Sequence, residues 1–360
     1  MAGAVFSVIG LVGGILDLAP MFGSMIPPKS GSETTVRIGV GTSINKQDST
    51  GGDTPGIRLF DVMGRDIGQA SGSSKAKILD GGYKDITVKA AKGMEGRQAQ
   101  YISVSQGGND ALCISYISMT WSDGQNKAWY GDVGKECGGV WYNSQTLMGD
   151  GDYRPRCVWI DGDGTNGIKT KGMGIHITDF TATEKRAQAY VKDPDTMCKS
   201  KPRFRLYEDL KLEHSLPYFS PPLEYDSDLV DKDRTKVLVD GASTGKLPPK
   251  NKKRSPREHR ALLSKRYNFP GTLISSKQDG HSAKELCESD TSLGPDFVSF
   301  HEGLFCDMSE KQLWPLCGSG VESGCFNTTD HTMISKSKSR RDESTGRLIP
   351  EKEYVDLQSW

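Results

Sequence analysis

LCISYISMTW, residues Leu112 to Trp121, carries apolar side chains on both of its alternating faces. Leu112, Ile114 and Tyr116 fall on one face, and Cys113, Ile117, Met119 and Trp121 on the other. A strand that can be buried on two sides belongs in the interior of a sheet with a layer over each face. Around it lie other short segments with alternation or β-branched enrichment: TVRIGVG (35–41), GIRLFDV (56–62), DITVKA (85–90) and QYISVS (100–105). CVWID (157–161) and GIHITDF (174–180) follow as closing strands. Between them GG, DG and NG steps supply the positive φ that tight turns require. The pattern predicts a mainly β protein whose first lobe is an antiparallel β-sandwich.

The bulk composition agrees with short strands and many turns. The 360 residues are 35% apolar and include 42 glycines and 17 prolines. Lys+Arg and Asp+Glu both total 46, so net charge argues against binding nucleic acid through the chain as a whole. The eight cysteines are Cys113, Cys137, Cys157 and Cys198, then Cys287, Cys306, Cys317 and Cys325. No CxxC pair occurs, so disulfides account for them better than zinc does. Self-contained pairing on each side and a bridge between the sides are both open.

The basic stretch PPKNKKRSPREHRALLSKR (248–266) divides the cysteines evenly. Its Lys-Arg pairs, ending at Arg254 and Arg266, suit a secretory-pathway endoprotease acting on an exposed segment. A nuclear import signal, a phosphate-binding arm and an inert solvated linker are the rival readings. No aromatic side chain interleaves the charges, as base stacking would need. The domain expectation is a glycine-rich apolar segment over 1–33, a sandwich over 34–225, a mobile linker over 226–266, a cysteine-rich α+β lobe over 267–335 and a polar tail over 336–360. In the cysteine-rich lobe Ser282 is positioned to cap a helix over SAKELCES. Asn327 begins the sequon Asn-Thr-Thr, a glycan site on an exported chain.

AGAVFSVIGLVGGILDLAPMF (2–22) is apolar but short before Asp17 for a membrane span, and it lacks the positive start of a signal peptide. Gly3, Ser7, Gly10 and Gly14 give one helical face of small residues, so an atypical signal, a mature terminus left after removal of an upstream signal, packing on the protein and membrane contact through residues 3–22 are all open.

Candidate chemistry is sparse. Trp129, Tyr130, Trp141 and Tyr142 form an aromatic set around Cys137 that can stack on a sugar, enter a membrane surface or cover the core. Asp161 and Asp163, in DGDGTNG, offer a weak Ca²⁺ site or an ordinary turn; Gly172 stands where an EF-hand needs its bidentate Glu. The same two carboxylates are the only candidate pair for glycoside hydrolysis. No GxSxG, HExxH or Walker loop is present, and His176, His214, His259, His281, His301 and His331 match no metal template. No catalytic residue and no cofactor is assigned.

The phrases HSAKELCESDTSLGPDFVSFHEGLFCDM and LWPLC, with ALCISYISMTW, AWYGDVGKECGGVWY and GMGIHITDF, resemble those of a group of uncharacterised fungal extracellular proteins. That resemblance implies fungal origin, export and disulfides, and it carries no activity. The order of the first lobe also resembles a PLAT-like lipid- or protein-binding sandwich at the level of the fold alone. The expectation is a secreted, non-enzymatic surface, host-interaction or self-assembling protein. The alternative is a membrane-active protein that inserts its glycine-rich start.

Overall fold

The computed structural model describes residues 25–41, 50–148, 153–164, 167–180, 184–233, 269, 271–318, 320–335 and 348–360. These fall into two compact units, one within 25–233 and the other within 269–360.

The first unit contains strands β1 (Thr34–Val40), β2 (Gly52–Thr54), β3 (Gly56–Phe60), β4 (Asp66–Ala70), β5 (Ser73–Ile78), β6 (Tyr83–Val88), β7 (Tyr101–Ser105) and β8 (Leu112–Thr120). They continue with β9 (Asn126–Tyr130), helix α1 (Gly131–Glu136), β10 (Trp141–Tyr142), β11 (Cys157–Ile160) and β12 (Gly172–His176). A 3-10 turn (Ile177–Phe180), helices α2 (Glu184–Lys192) and α3 (Asp195–Cys198) and strand β13 (Phe204–Tyr207) complete it. One six-stranded sheet runs β10-β11-β8-β1-β6, with β9 also on β8; a five-stranded sheet runs β13-β12-β7-β3-β4. Every pairing in both is antiparallel.

β8 is the centre of this unit, and all nine of its residues are buried. β1 pairs along one edge, while β9 and β11 share the other. Ile117 sits opposite Ile38 on one side and Trp129 on the other, and the Trp129 ring stacks on Phe204 of the second sheet at 5.6 Å. That face is the interior of the sandwich. The opposite face carries Tyr116, which clusters with Tyr130, Met148 and Tyr153 beneath Met25 and Ile26. Ser118 and Thr120 donate their hydroxyls to the carbonyls of Met25 and Pro27, each at 2.6 Å. Residues 25–27 are therefore a third layer, and the two-faced pattern of β8 records it.

Two disulfides brace the unit. Cys113–Cys157 staples β8 to its neighbour β11, and Cys137–Cys198 ties the end of α1 to α3. The ordered part also runs further than the composition suggested: residues 226–233, read as the start of a mobile linker, are held by Asp231 on the buried Arg203 and by the Leu229 carbonyl on Arg186. Asp228 and Asp231 pair there with Lys185 and Arg203, partners far away in sequence.

The second unit contains β14 (Thr272–Ser276), helix α4 (Ala283–Glu288), β15 (Asp296–Ser299), β16 (Leu304–Asp307), β17 (Gln312–Pro315), β18 (Cys325–Asn327), β19 (Thr332–Ile334) and β20 (Asp356–Ser359). Its sheet runs β17-β16-β15-β14-β20. β14 is parallel to β15 and to β20, the crossover to β15 being made through α4; β15, β16 and β17 are antiparallel. Ser282 caps α4 as expected, accepting the Glu285 amide at 2.9 Å. Cys287–Cys306 joins α4 to β16, and Cys317–Cys325 closes the loop before β18. The end of the polar tail is a strand of this sheet. Trp360 seals it, buried against His281 at 5.2 Å and Phe297 at 5.8 Å.

Candidate functional site

Several chemically competent groups gather where β12 turns into Ile177–Phe180. The tight 3-10 turn brings three residues of HITD together. His176 Nδ1 meets Asp179 Oδ2 at 2.7 Å, and its Nε2 meets the half-buried Thr178 hydroxyl at 3.2 Å. Hydroxyl, imidazole and carboxylate in that order are the components of an activated nucleophile. Here the carboxylate is already engaged. Arg203 donates Nε to Asp179 Oδ2 at 2.8 Å, and Tyr225 donates its hydroxyl to Oδ1 at 2.6 Å. Arg186 stands 3.6 Å away, and Arg203 also reaches Asp231 at 2.7 Å.

Asp179 and Arg203 are fully buried, and the imidazole is stacked on Tyr101 at 4.4 Å with Phe219 at its edge. Burial alone would push the Asp179 carboxyl up, but the Arg203 guanidinium, with His176 and Arg186, holds it well below the usual carboxylate range. Two cations balanced by two carboxylates make this a charge-neutral junction. It ties β12, β13, α2 and the 225–231 segment into one body.

The second unit has a counterpart. The Lys352 ammonium donates to Asp296 Oδ2 at 2.7 Å and to Asp307 Oδ1 at 2.6 Å, and the Tyr354 hydroxyl donates to Asp296 at 2.7 Å. Burial pushes the Asp296 carboxyl up against the opposing pull of Lys352. Lys352 and Tyr354 line a cavity of about 430 Å³, with Phe305, Phe326, Met333 and Ile349. Phe305 and Phe326 stack at 4.0 Å beneath it. Nearby, Lys311 is buried with its ammonium on the carbonyls of Leu286 (3.1 Å) and Ser292 (2.9 Å), at the end of α4.

The residues singled out from the sequence are distributed as follows. All eight cysteines are paired, each within its own unit, so the alternative of a disulfide across the basic stretch is set aside. Trp129, Tyr130, Trp141 and Tyr142 are 0–3% exposed, and so the rings form core and not a platform for a sugar or a membrane. Asp161 is fully buried; its backbone N–H donates to the Thr170 carbonyl at 2.8 Å, and its Oδ1 accepts the Asp163 amide at 3.4 Å. That is turn geometry. Among the described residues no group of three or more His, Cys, Asp or Glu is placed to hold a metal ion.

His281 bonds Ser276 Oγ at 2.9 Å beneath Trp360, while His301 is exposed and His331 borders the cavity. Asn327 is half-buried in the β18–β19 turn; its Oδ1 accepts the Thr329 amide at 2.8 Å and its Nδ2 donates to Asp330 at 2.7 Å. Arg254, Arg266 and residues 3–22 lie outside the described residues, and no described helix is long and apolar enough to cross a membrane. No protein-family model matches the chain, and no curated protein is significantly similar to it.

Proposed function

We propose that this protein acts outside the cell as a disulfide-braced contact protein of two units, through cell-surface, host or self-association and not through catalysis. One observation carries the reading: four disulfides close within the units and none joins one unit to the other. Cytosolic reductants would keep such thiols reduced, whereas an oxidising compartment preserves them. Because each unit keeps its own bridges, cleavage after Arg254 or Arg266 would leave both units covalently braced. The resemblance to fungal extracellular proteins points the same way.

An N-linked glycan at Asn327 fits this setting. Glycosylation replaces one amide hydrogen and leaves the other for Asp330. A role in contact is supported by how the reactive groups are spent: His176 is hydrogen-bonded to Asp179, and Asp179 and Lys352 are tied up in ion pairs that hold elements together.

Intact mass of the protein from its native source, with and without reductant, tests the reading. The expected record is a mass gain on reduction equal to the hydrogens of four disulfides, added glycan, and pieces ending at Arg254 or Arg266. A single uncut chain of free thiols would overturn it.

A further inference from the structure

We infer that β20 is a self-association edge, and that its occupant is β20 of a second copy of this chain. The mixed sheet of the second unit has two edges with different finishes. β17 ends at Pro315 and runs on through a bridge from Leu316 to Phe326, which occupies that side. Among the described residues β20 pairs only with β14. Asp356 and Trp360 donate their amides inward, to the carbonyls of Gly271 and Ser275. By the alternation of a strand, the backbone groups of Leu357 and Ser359 therefore face outward.

Natural edges are commonly defended by Lys, Pro or a bulge. The sequence here is Val355-Asp-Leu-Gln-Ser359, which has none of these. Val355 is 89% exposed and Leu357 47% exposed. Leu357 lies beside Leu273, a member of the core cluster of this unit, so the apolar face of the sheet continues past its last paired strand into solvent.

The register identifies a second copy as the partner. Antiparallel pairing about a two-fold axis through Leu357 sets Leu357 opposite its own symmetry mate, Val355 opposite Ser359, and Asp356 opposite Gln358. No like charges face one another. The outward amides of Leu357 and Ser359 then find the carbonyls of Leu357 and Val355 across the axis, and the two Leu357 side chains close over each other. A parallel or shifted pairing loses one or more of these matches. An isologous contact of this kind closes at a dimer, giving one continuous sheet across both copies. This inference selects self-association among the partners of the proposed contact protein, and rests on that reading only for this choice.

The test is sedimentation equilibrium of the oxidised full-length chain over a concentration series. The expected result is a reversible monomer–dimer equilibrium. Leu357→Pro, which deletes an amide with no hydrogen bond among the described residues, and Val355→Lys, which lies before the strand, should each weaken association at least ~10-fold. Leu79→Lys, at a 76% exposed apolar residue of the first unit, should leave it unchanged.

Geometry is checked by cross-linking. Leu357→Cys should give a disulfide-linked dimer, since directly opposed strand residues lie within disulfide reach at about 5.5 Å. Val355→Cys, although more exposed, should not. A chain that stays monomeric up to its solubility limit overturns the inference, as does a dimer indifferent to both edge variants. Neither outcome bears on the mass measurement, so failure of export and failure of self-association are separable.

Discussion

Asp179→Asn is the substitution that best tests the physical account of the first unit. The carboxylate has two acceptor oxygens, and both are used: Oδ2 by Arg203 and His176, Oδ1 by Tyr225. An amide keeps one acceptor and turns the other into a donor. Arg203 has no acceptor to offer, so the amide oxygen must face it, and the new N–H₂ must face Tyr225. The charge is lost in either case, leaving Arg203, 0% exposed at the side chain, with Asp231 alone and taking from Arg186, 4% exposed, the carboxylate 3.6 Å away.

Removing one partner of a buried ion pair costs about 3–5 kcal/mol, against a total stability of roughly 5–15 kcal/mol for a domain. The control is Asp66→Asn, which breaks a partly exposed bridge to Arg58 and should cost about 0–1 kcal/mol. Urea denaturation combined with hydrogen exchange of peptides spanning β12 and β13 would assign the loss to this unit. The pH dependence has a definite sign. A carboxyl held below its unfolded value stabilises the fold above that value and stops doing so as pH falls through the folded one. Wild type should lose this contribution only in acid below the ordinary carboxylate range. A loss for Asp179→Asn no larger than that for Asp66→Asn would refute the reasoning.

Other perturbations follow from the same geometry. Gly39→Ala should lower the melting temperature of the first unit by an overpacking cost of about 1–3 kcal/mol, because a Cβ there would sit 1.9 Å from the Tyr116 ring. Lys352→Met leaves Asp296 and Asp307 facing each other without their shared cation. Since the Asp296 carboxyl is already pushed up, the variant's second unit should be most stable below the ordinary carboxylate value and lose stability as pH rises through the raised one, read by urea midpoints across pH. Replacing Cys113 and Cys157 together by Ala should cost about 2–5 kcal/mol in thermal or urea unfolding, whereas an equal loss on the second unit's peptides would contradict the separate bracing of the units.

The β architecture was legible because it is written in local alternation. Leu112–Trp121 announced a strand covered on both sides, and the covering layers are present as the second sheet and residues 25–27. The cap at Ser282 was equally local. What escaped was long-range charge pairing. Asp179 stood in plain sight within GIHITDF, but nothing in that phrase points to Arg203 or Tyr225. The aromatic cluster around Cys137 illustrates the reverse difficulty: Trp and Tyr have the same composition whether they face a ligand or a core, and burial decides between them. β20 was hidden for a third reason. Three of its four residues, DLQS, are polar, and it is a strand because β14 supplies a parallel edge beside it.

These distant pairings also determine how much of the chain each unit needs. Asp231 is part of the first unit because Arg203, fully buried, requires a second carboxylate beyond Asp179. Lys352 and β20 belong to the second because Asp296 and Asp307 require a cation and β14 has an edge to fill. Residues 234–268 contribute none of these described partners, and both Arg254 and Arg266 fall among them. A cut after either arginine would therefore leave every described ion pair, disulfide and strand pairing intact within its own unit. A cut before Asp231 would sever the segment that gives Arg203 its second carboxylate beside Asp179, and a cut within 271–276 would break β14. A cut after Arg254 or Arg266 would also leave β20 paired with β14.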